Sequence, residues 1–218
     1  MVCGAVIGVL CAVLTVSVNA KPFTWSRCGN PHPAVVVDLI EVTPDPIELP
    51  GTLKLSVRGN TTQVLNSAKL SLTLHRDTFL ISVPIPCVLH LGTCTYDNLC
   101  TLLNTMETEN WATITAGLAT QIKAMLSSAG INVDPSLCPL QVTSLDIHDY
   151  TITLPEVPSV LSWLASGDYS INVMVDDPTT NENLLCLDLK VTLTKSSTCT
   201  GWLCGRRKRD VLKNKILN

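Results

Sequence analysis

Aromatic side chains are scarce in this sequence: two Phe, three Tyr and four Trp in 218 residues. Whatever interior the chain builds must therefore be aliphatic. Catalytic signatures are missing as well. There is no G-x-S-x-G, no H-E-x-x-H and no glycine-rich phosphate loop. "DIHD" at 146–149 sets His148 between carboxylates, but neighbours in a strand point to opposite faces, so it reads as a surface strand entry. No Cys-x-x-Cys occurs, and His32, His75, His90 and His148 are scattered, which argues against zinc or any other metal. No cofactor is implied. After residue 20 no stretch is long and apolar enough to span a bilayer.

The first twenty residues carry no charge and are mostly apolar. Val18 and Ala20 supply the small residues of a signal-peptidase site, so 1–20 reads as a signal peptide cleaved after Ala20. An uncleaved anchor is the alternative. The chain is then expected in the secretory pathway, outside the cell or in the lysosomal lumen. Charge divides unevenly beyond that point. Residues 21–205 hold 9 Lys/Arg against 17 Asp/Glu, a net −8, while residues 206–218 hold 6 against one, a net +5. An acidic body argues against nucleic acid as a partner.

Eight cysteines follow the leader: Cys28, Cys87, Cys94, Cys100, Cys138, Cys186, Cys199 and Cys204. In an oxidising compartment they read as four disulfides, with 105 possible connectivities. Asn60-Thr61-Thr62 is an N-glycosylation sequon in a polar stretch between two strand patterns.

Period-two alternation sets the fold class. It recurs at Leu53/Leu55/Val57, Leu70/Leu72/Leu74, Tyr150/Ile152/Leu154, Tyr169 to Val175 and Leu185 to Leu193. With "AVVVDLIE" and "FLISVPI" this predicts seven strands in antiparallel sheets with one wet face, a sandwich or a cup. Pro44, Pro46 and Pro50 exclude a central strand between them and suit an edge. One segment departs from this rhythm. Trp111, Ile114, Leu118, Ile122 and Met125 fall at helical spacing, with Asn110 to cap the start and Gly130 to close the end. The pattern predicts one helix packed on an all-β domain. Aliphatic stripes suit a packed core and an acyl-chain cavity equally, so composition does not separate the two.

"FTWSRC", "PDPIELPG", "IPCVLHLGTC", "NLC", "SWLASGDYSI" and "LLCLDLK" occur in the order and approximate spacing of the ganglioside activator proteins. These are lysosomal sphingolipid activators of the ML lipid-recognition superfamily. The resemblance runs from Phe23 to about Leu193. It implies a β-cup of about seven or eight strands, spanning 21–195, around an apolar lipid cavity. The implied protein is no enzyme: it extracts glycosphingolipid, or another double-chain lipid, from an anionic membrane surface and presents it to a β-hexosaminidase.

The resemblance further implies the pairs Cys28–Cys186, Cys87–Cys94 and Cys100–Cys138. The family's fourth pair has no counterpart here, and residues 101–137 occupy its place. Cys199 and Cys204, beyond the family's end, are then expected to pair with each other. "VLSWLASG" matches the family's membrane-touching loop, with Trp163, Leu161 and Leu164 as the insertion tip. Phe79, Leu80 and Ile81 stand near a second such loop, and Trp111 is taken with them as a lipid contact. The tail, 196–218, carries Arg206-Arg207-Lys208-Arg209, a furin-type site ending at Arg209. Two further readings are a carrier of another lipid and a precursor whose cleaved tail is a signal.

Overall fold

The computed structural model describes residues 21–196; the leader, Cys199, Cys204 and the basic tail lie outside them. Ten strands form two sheets. The larger is built from β1 (Thr24–Arg27), β3 (Ile47–Leu49), β5 (Lys69–Asp77), β6 (Ser82–Pro84), β7 (Thr95–Tyr96), β9 (Gly167–Asp176) and β10 (Asn183–Lys195). Its main path runs β1-β10-β9-β5-β6, with β3 on β10 and β7 on β5. The smaller sheet is β2 (Val35–Thr43), β4 (Gly51–Thr61) and β8 (Ser144–Leu154), in the order β2-β4-β8. All pairings are antiparallel except β3 with β10.

Register explains the two faces of the larger sheet, because directly paired residues share a face. Leu70 pairs with Val175 and that with Leu185; the next rows are Leu72, Val173, Leu187 and Leu74, Ile171, Leu189. The opposite face carries Thr73, Asn172 and Asp188, then His75, Ser170 and Lys190. One face is thus continuously aliphatic and the other polar.

All seven alternating segments form strands; β1, β3 and β7 are additional and too short to alternate visibly. "FLISVPI" contributes only Ser82–Pro84, because Phe79-Leu80-Ile81 turns the chain. The proline-rich stretch does more than stiffen an edge. Between Thr43 and Gly51 the chain leaves the smaller sheet, adds the three-residue β3 to β10, and returns as central strand β4. Prolines flank each passage, where no ladder donor is needed.

Two helices replace the single expected one: α1 (Leu99–Glu109) and α2 (Thr115–Ser128). The first had a signal that the count of alternating segments obscured. Asn98 accepts from the Thr101 N–H at 3.3 Å, and Leu99, Leu102, Leu103 and Met106 follow at helical spacing. Asn110, in the left-handed region, ends α1; its side-chain oxygen accepts from the Ala116 N–H at 3.1 Å and so caps α2. The α2 stripe of Leu118, Ile122 and Met125 covers Leu53, Leu55, Ile147 and Ile152 of the smaller sheet. A second cluster of Ala34, Leu65, Ala68, Val175 and Leu184 closes the end of the domain remote from Trp163.

Disulfides join Cys28 to Cys186, Cys87 to Cys94, and Cys100 to Cys138. The first, with a sequence separation of 158, fixes the N-terminal segment on β10. Arg27, next to it, donates to the Val37 carbonyl at 2.8 Å and pairs with Asp38 at 3.1 Å, tying the edge of one sheet to that of the other. Replacing both Cys28 and Cys186 with alanine should lower the unfolding free energy by about 2–5 kcal/mol. Urea melts of the purified protein measure this; an unchanged midpoint would contradict it.

Candidate functional site

Against the aliphatic face of the larger sheet lies a cavity of about 250 Å³. Leu74, Ile171, Val191 and Leu193 form its floor, and Ile114, Leu161 and Leu164 close it from the other side. The floor continues toward Leu70 and Leu185, yet most of this face is only half-buried. Among the nine aliphatic residues of its three paired rows, only Val175 and Leu187 are fully buried. A sheet packed in an ordinary sandwich would bury them all. The face is left open.

One wall is the segment Val157–Ser166, whose Ser159–Leu164 turn is a 3₁₀ helix. Three residues per turn place i and i+3 in one file. Leu161 and Leu164 therefore share the inner file, and Leu161 is 1% exposed. Val160 and Trp163 share the outer file, and Trp163 is 41% exposed. Of the three residues expected at the insertion tip, Trp163 is exposed beside Val160, whereas Leu161 and Leu164 line the cavity.

The wall is held from the sheet. Arg76, three residues before Phe79, donates to the Trp163 carbonyl at 3.0 Å and the Ser166 carbonyl at 2.9 Å. Gly167 makes room for it: φ is +140°, and a Cβ there would stand 2.9 Å from Arg76 Nε. The Tyr169 hydroxyl donates to the Leu164 carbonyl at 3.0 Å. Burial pushes the Tyr169 phenol above its ordinary value, although nearby Arg76 opposes the shift.

Phe79, Leu80 and Ile81 form the turn of the β5–β6 hairpin, with Phe79 fully exposed and Leu80 83% exposed. Thr78 holds the turn, its N–H and hydroxyl both donating to the Ile81 carbonyl. Below it, Asp77 accepts from Ser82 at 2.7 Å and Ser170 at 2.5 Å. Burial would raise the Asp77 pKa, but those two hydrogen bonds, with Lys21 and Lys190 nearby, hold it below its ordinary 3.8.

Trp111 is not a surface contact. It is 9% exposed, stacks on His90 at 4.5 Å and Tyr96 at 5.7 Å, and donates its indole N–H to Glu109 at 2.6 Å. Positive φ at Ala112 and Thr113 ends the helical path there, so the turn carrying Trp111 folds separately from α2. Asn60 also differs from expectation. It lies inside β4, half-buried, because Thr61 extends that strand by bonding the Thr143 carbonyl at 2.9 Å. His148 pairs with Asp146 at 3.0 Å on the surface, both well exposed. Among the described residues, no group of three or more His, Cys, Asp or Glu could hold a metal ion, and no helix is long and apolar enough to cross a membrane.

The domain thus combines an apolar cavity, two exposed apolar turns and three disulfides. Mouse ganglioside GM2 activator is 27% identical over 172 residues, covering 78% of this chain and 81% of the mouse protein. The chain resembles the ganglioside GM2 activators. The Macaca fascicularis activator gives the same identity over 174 residues, 78% of this chain and 83% of its own. No family model matches. A crystal structure of a Niemann-Pick type C2 protein from Japanese carpenter ant aligns with a TM-score of 0.38 at 10% identity, over 78% of this chain and 99% of that one. At that level the alignment adds nothing to the assignment.

Two outcomes follow from the wall and the hairpin. Leu161→Ala should cost about 2–5 kcal/mol of stability, whereas Trp163→Ala should cost under about 1. Thermal melts of both separate them, and a large loss in Trp163→Ala would place its ring in the core. Asp77 has a lowered folded pKa, so its contribution is complete above its ordinary 3.8 and is lost as pH falls through the folded value. Asp77→Asn should therefore melt below wild type at neutral pH, with the gap closing as pH falls below 3.8 and through the lowered folded value. A gap that persists there would contradict the assignment.

Proposed function

We propose that this protein is a non-enzymatic lipid carrier. In this reading it withdraws a glycosphingolipid from a membrane and presents the headgroup to a soluble hydrolase such as a β-hexosaminidase. The observation that carries the reading is the half-buried aliphatic face of the larger sheet, with an apolar cavity against it whose wall bears the exposed Trp163 on its outer side. The resemblance to the ganglioside GM2 activators supports it.

The physical need is clear from magnitudes. A double-chain lipid has on the order of 30 methylenes, each costing about 0.8 kcal/mol in water, or roughly 25 kcal/mol in all. A cavity replaces that cost by exchange between two apolar surroundings. The enclosed part, about 250 Å³, is below the roughly 300–1,000 Å³ of sites that enclose a whole ligand. In this reading it takes part of a chain. Val160, Trp163, Phe79 and Leu80 would meet the membrane first, with the indole at headgroup level. A net −8 body is repelled by anionic lipid at neutral pH, and the repulsion fades as carboxylates near their ordinary pKa values. Secretion or lysosomal residence, with the leader removed and Asn60 glycosylated, is part of the same proposal.

The test is transfer of a fluorescent glycolipid from donor to acceptor vesicles at neutral pH and about pH 5. Transfer above a protein-free control is expected, larger at acidic pH and reduced in Trp163→Ala. Equal rates with and without protein at both pH values would refute the function.

A further inference from the structure

A second apolar cavity, of about 160 Å³, lies against the smaller sheet under the C-terminal end of α2. It shares no lining residue with the cavity floored by Leu74 and Ile171. Ile114 borders that first cavity and Leu126 this one, about 18 Å farther along the helical segment at 1.5 Å per residue. Between them the Leu118, Ile122 and Met125 stripe is packed on the sheet. We infer that this second cavity is a binding site of its own, for a compact hydrocarbon group about the size of a benzene ring and without polar substituents.

The strand register builds the hollow. Val37, Gly59 and Leu145 are paired across β2, β4 and β8 and share a face. At the centre of that row stands a glycine, so the central strand has no side chain to raise into the space. Only glycine fits there, because a Cβ would strike the Val36 carbonyl oxygen. The roof, made by Leu126, Ile131, Leu137 and Leu140, is held off this floor. Cys138 is tied to Cys100, and the Leu137 N–H donates to the Cys100 carbonyl at 2.9 Å. Leu140 exchanges two backbone bonds with Leu65, each 2.9 Å. Val57, Leu126, Leu137, Leu140 and Leu145 all line the hollow, yet each stays only half-buried.

The polar lining is already engaged. The Thr61 hydroxyl donates to the Gln141 carbonyl at 3.0 Å and accepts from the Thr143 N–H at 2.9 Å. The Thr61 N–H donates to the Thr143 carbonyl at 2.9 Å, and the Thr143 hydroxyl donates to the Ser144 carbonyl at 3.5 Å. Asn60, next to Gly59 in the strand, directs its side chain to the opposite face. A polar ligand would give up its hydration and find no partner in exchange. Protein interiors hold few voids larger than a water molecule. An apolar cavity of about 150 Å³ stays dry and takes up benzene or xenon, because water inside it lacks the two to four polar partners it needs.

The experiment titrates benzene into the secreted full chain with methyl groups labelled for NMR. The methyl signals of Val57, Leu126 and Leu145 should shift along a saturable curve. Val57→Phe fills the hollow from the sheet and Leu137→Phe fills it from the roof. Each should abolish the response of Leu126 and Leu145 while leaving glycolipid transfer between vesicles as in wild type, and either one suffices if the other folds poorly. No saturable shift at Leu126 and Leu145, or a shift that survives in the folded Phe variants, overturns the site. Displacement of benzene from Leu126 and Leu145 by added long-chain glycolipid also overturns it, because the hollow would then be the far end of the lipid cavity. Benzene binding there by a protein that transfers no glycolipid upholds the site and refutes only the carrier reading.

Discussion

A sheet with an unbroken aliphatic face loses exposed area by packing that face on another sheet, and water drives it to do so. In this protein the larger sheet is kept from that packing, and the rest of the architecture depends on how. Its edge is fastened to the smaller sheet by Arg27 on Val37 and Asp38, and by the proline-flanked passage that adds β3 to β10. The smaller sheet's apolar face is already covered by Leu118, Ile122 and Met125 of α2. With that partner occupied, the face of β5, β9 and β10 packs on the Ala34, Leu65 and Ala68 cluster at one end, and at the other it meets Leu49, Leu91, Ile114 and the Val157–Ser166 wall around a cavity. The helical segment thus reaches both sheets: Ile114 touches the cavity, and four residues on Leu118 begins the stripe on the other sheet.

Strand direction gives the molecule two unlike ends. β9 runs ten residues, about 30 Å, from Gly167 to Asp176. At its start lie Phe79, Leu80, Val160 and Trp163, and the carboxylates there are matched by Lys21 and Arg76. At its end the turn to β10 carries Asp176, Asp177 and Glu182. Asp177 accepts from the Thr179 and Thr180 N–H groups, and the first of these leads in lowering its pKa against burial. Unmatched negative charge is therefore held far from the apolar end, where it opposes contact with an anionic surface least.

Much of this was legible in the sequence because alternation reports a face directly. The rows Leu70–Val175–Leu185 and Leu74–Ile171–Leu189 are the stripes visible in the sequence, set side by side. What alternation cannot report is whether a face is covered, since a core leucine and a cavity leucine are the same residue. Short elements were lost for a different reason: β3 has three residues, fewer than two periods, and is defined by its partner β10. Trp111 was misplaced because its helical spacing to Ile114 and Leu118 is real, but Ala112 and Thr113 adopt positive φ, which no side-chain pattern announces. The sequence puts Asn60 between strands because Thr61 and Thr62 look like loop, whereas the Thr61 bond to Thr143 carries β4 through Thr61.

The Ser159–Leu164 turn shows why local geometry, not composition, decides which apolar residue faces the membrane. Val160, Leu161, Trp163 and Leu164 are all apolar, and at 3.6 residues per turn they would spread over one broad stripe. At three per turn they sort into two files, one inward and one outward. Such a turn is a poor structure alone, because its last carbonyls lack partners. Here the Trp163 and Ser166 carbonyls accept from Arg76, and the Leu164 carbonyl accepts from Tyr169. Both donors rise from adjacent strands of the sheet whose open face forms the cavity floor. The outward direction of Trp163 is therefore set by the same sheet that shapes the cavity, so the contact surface and the cavity are fixed in one frame.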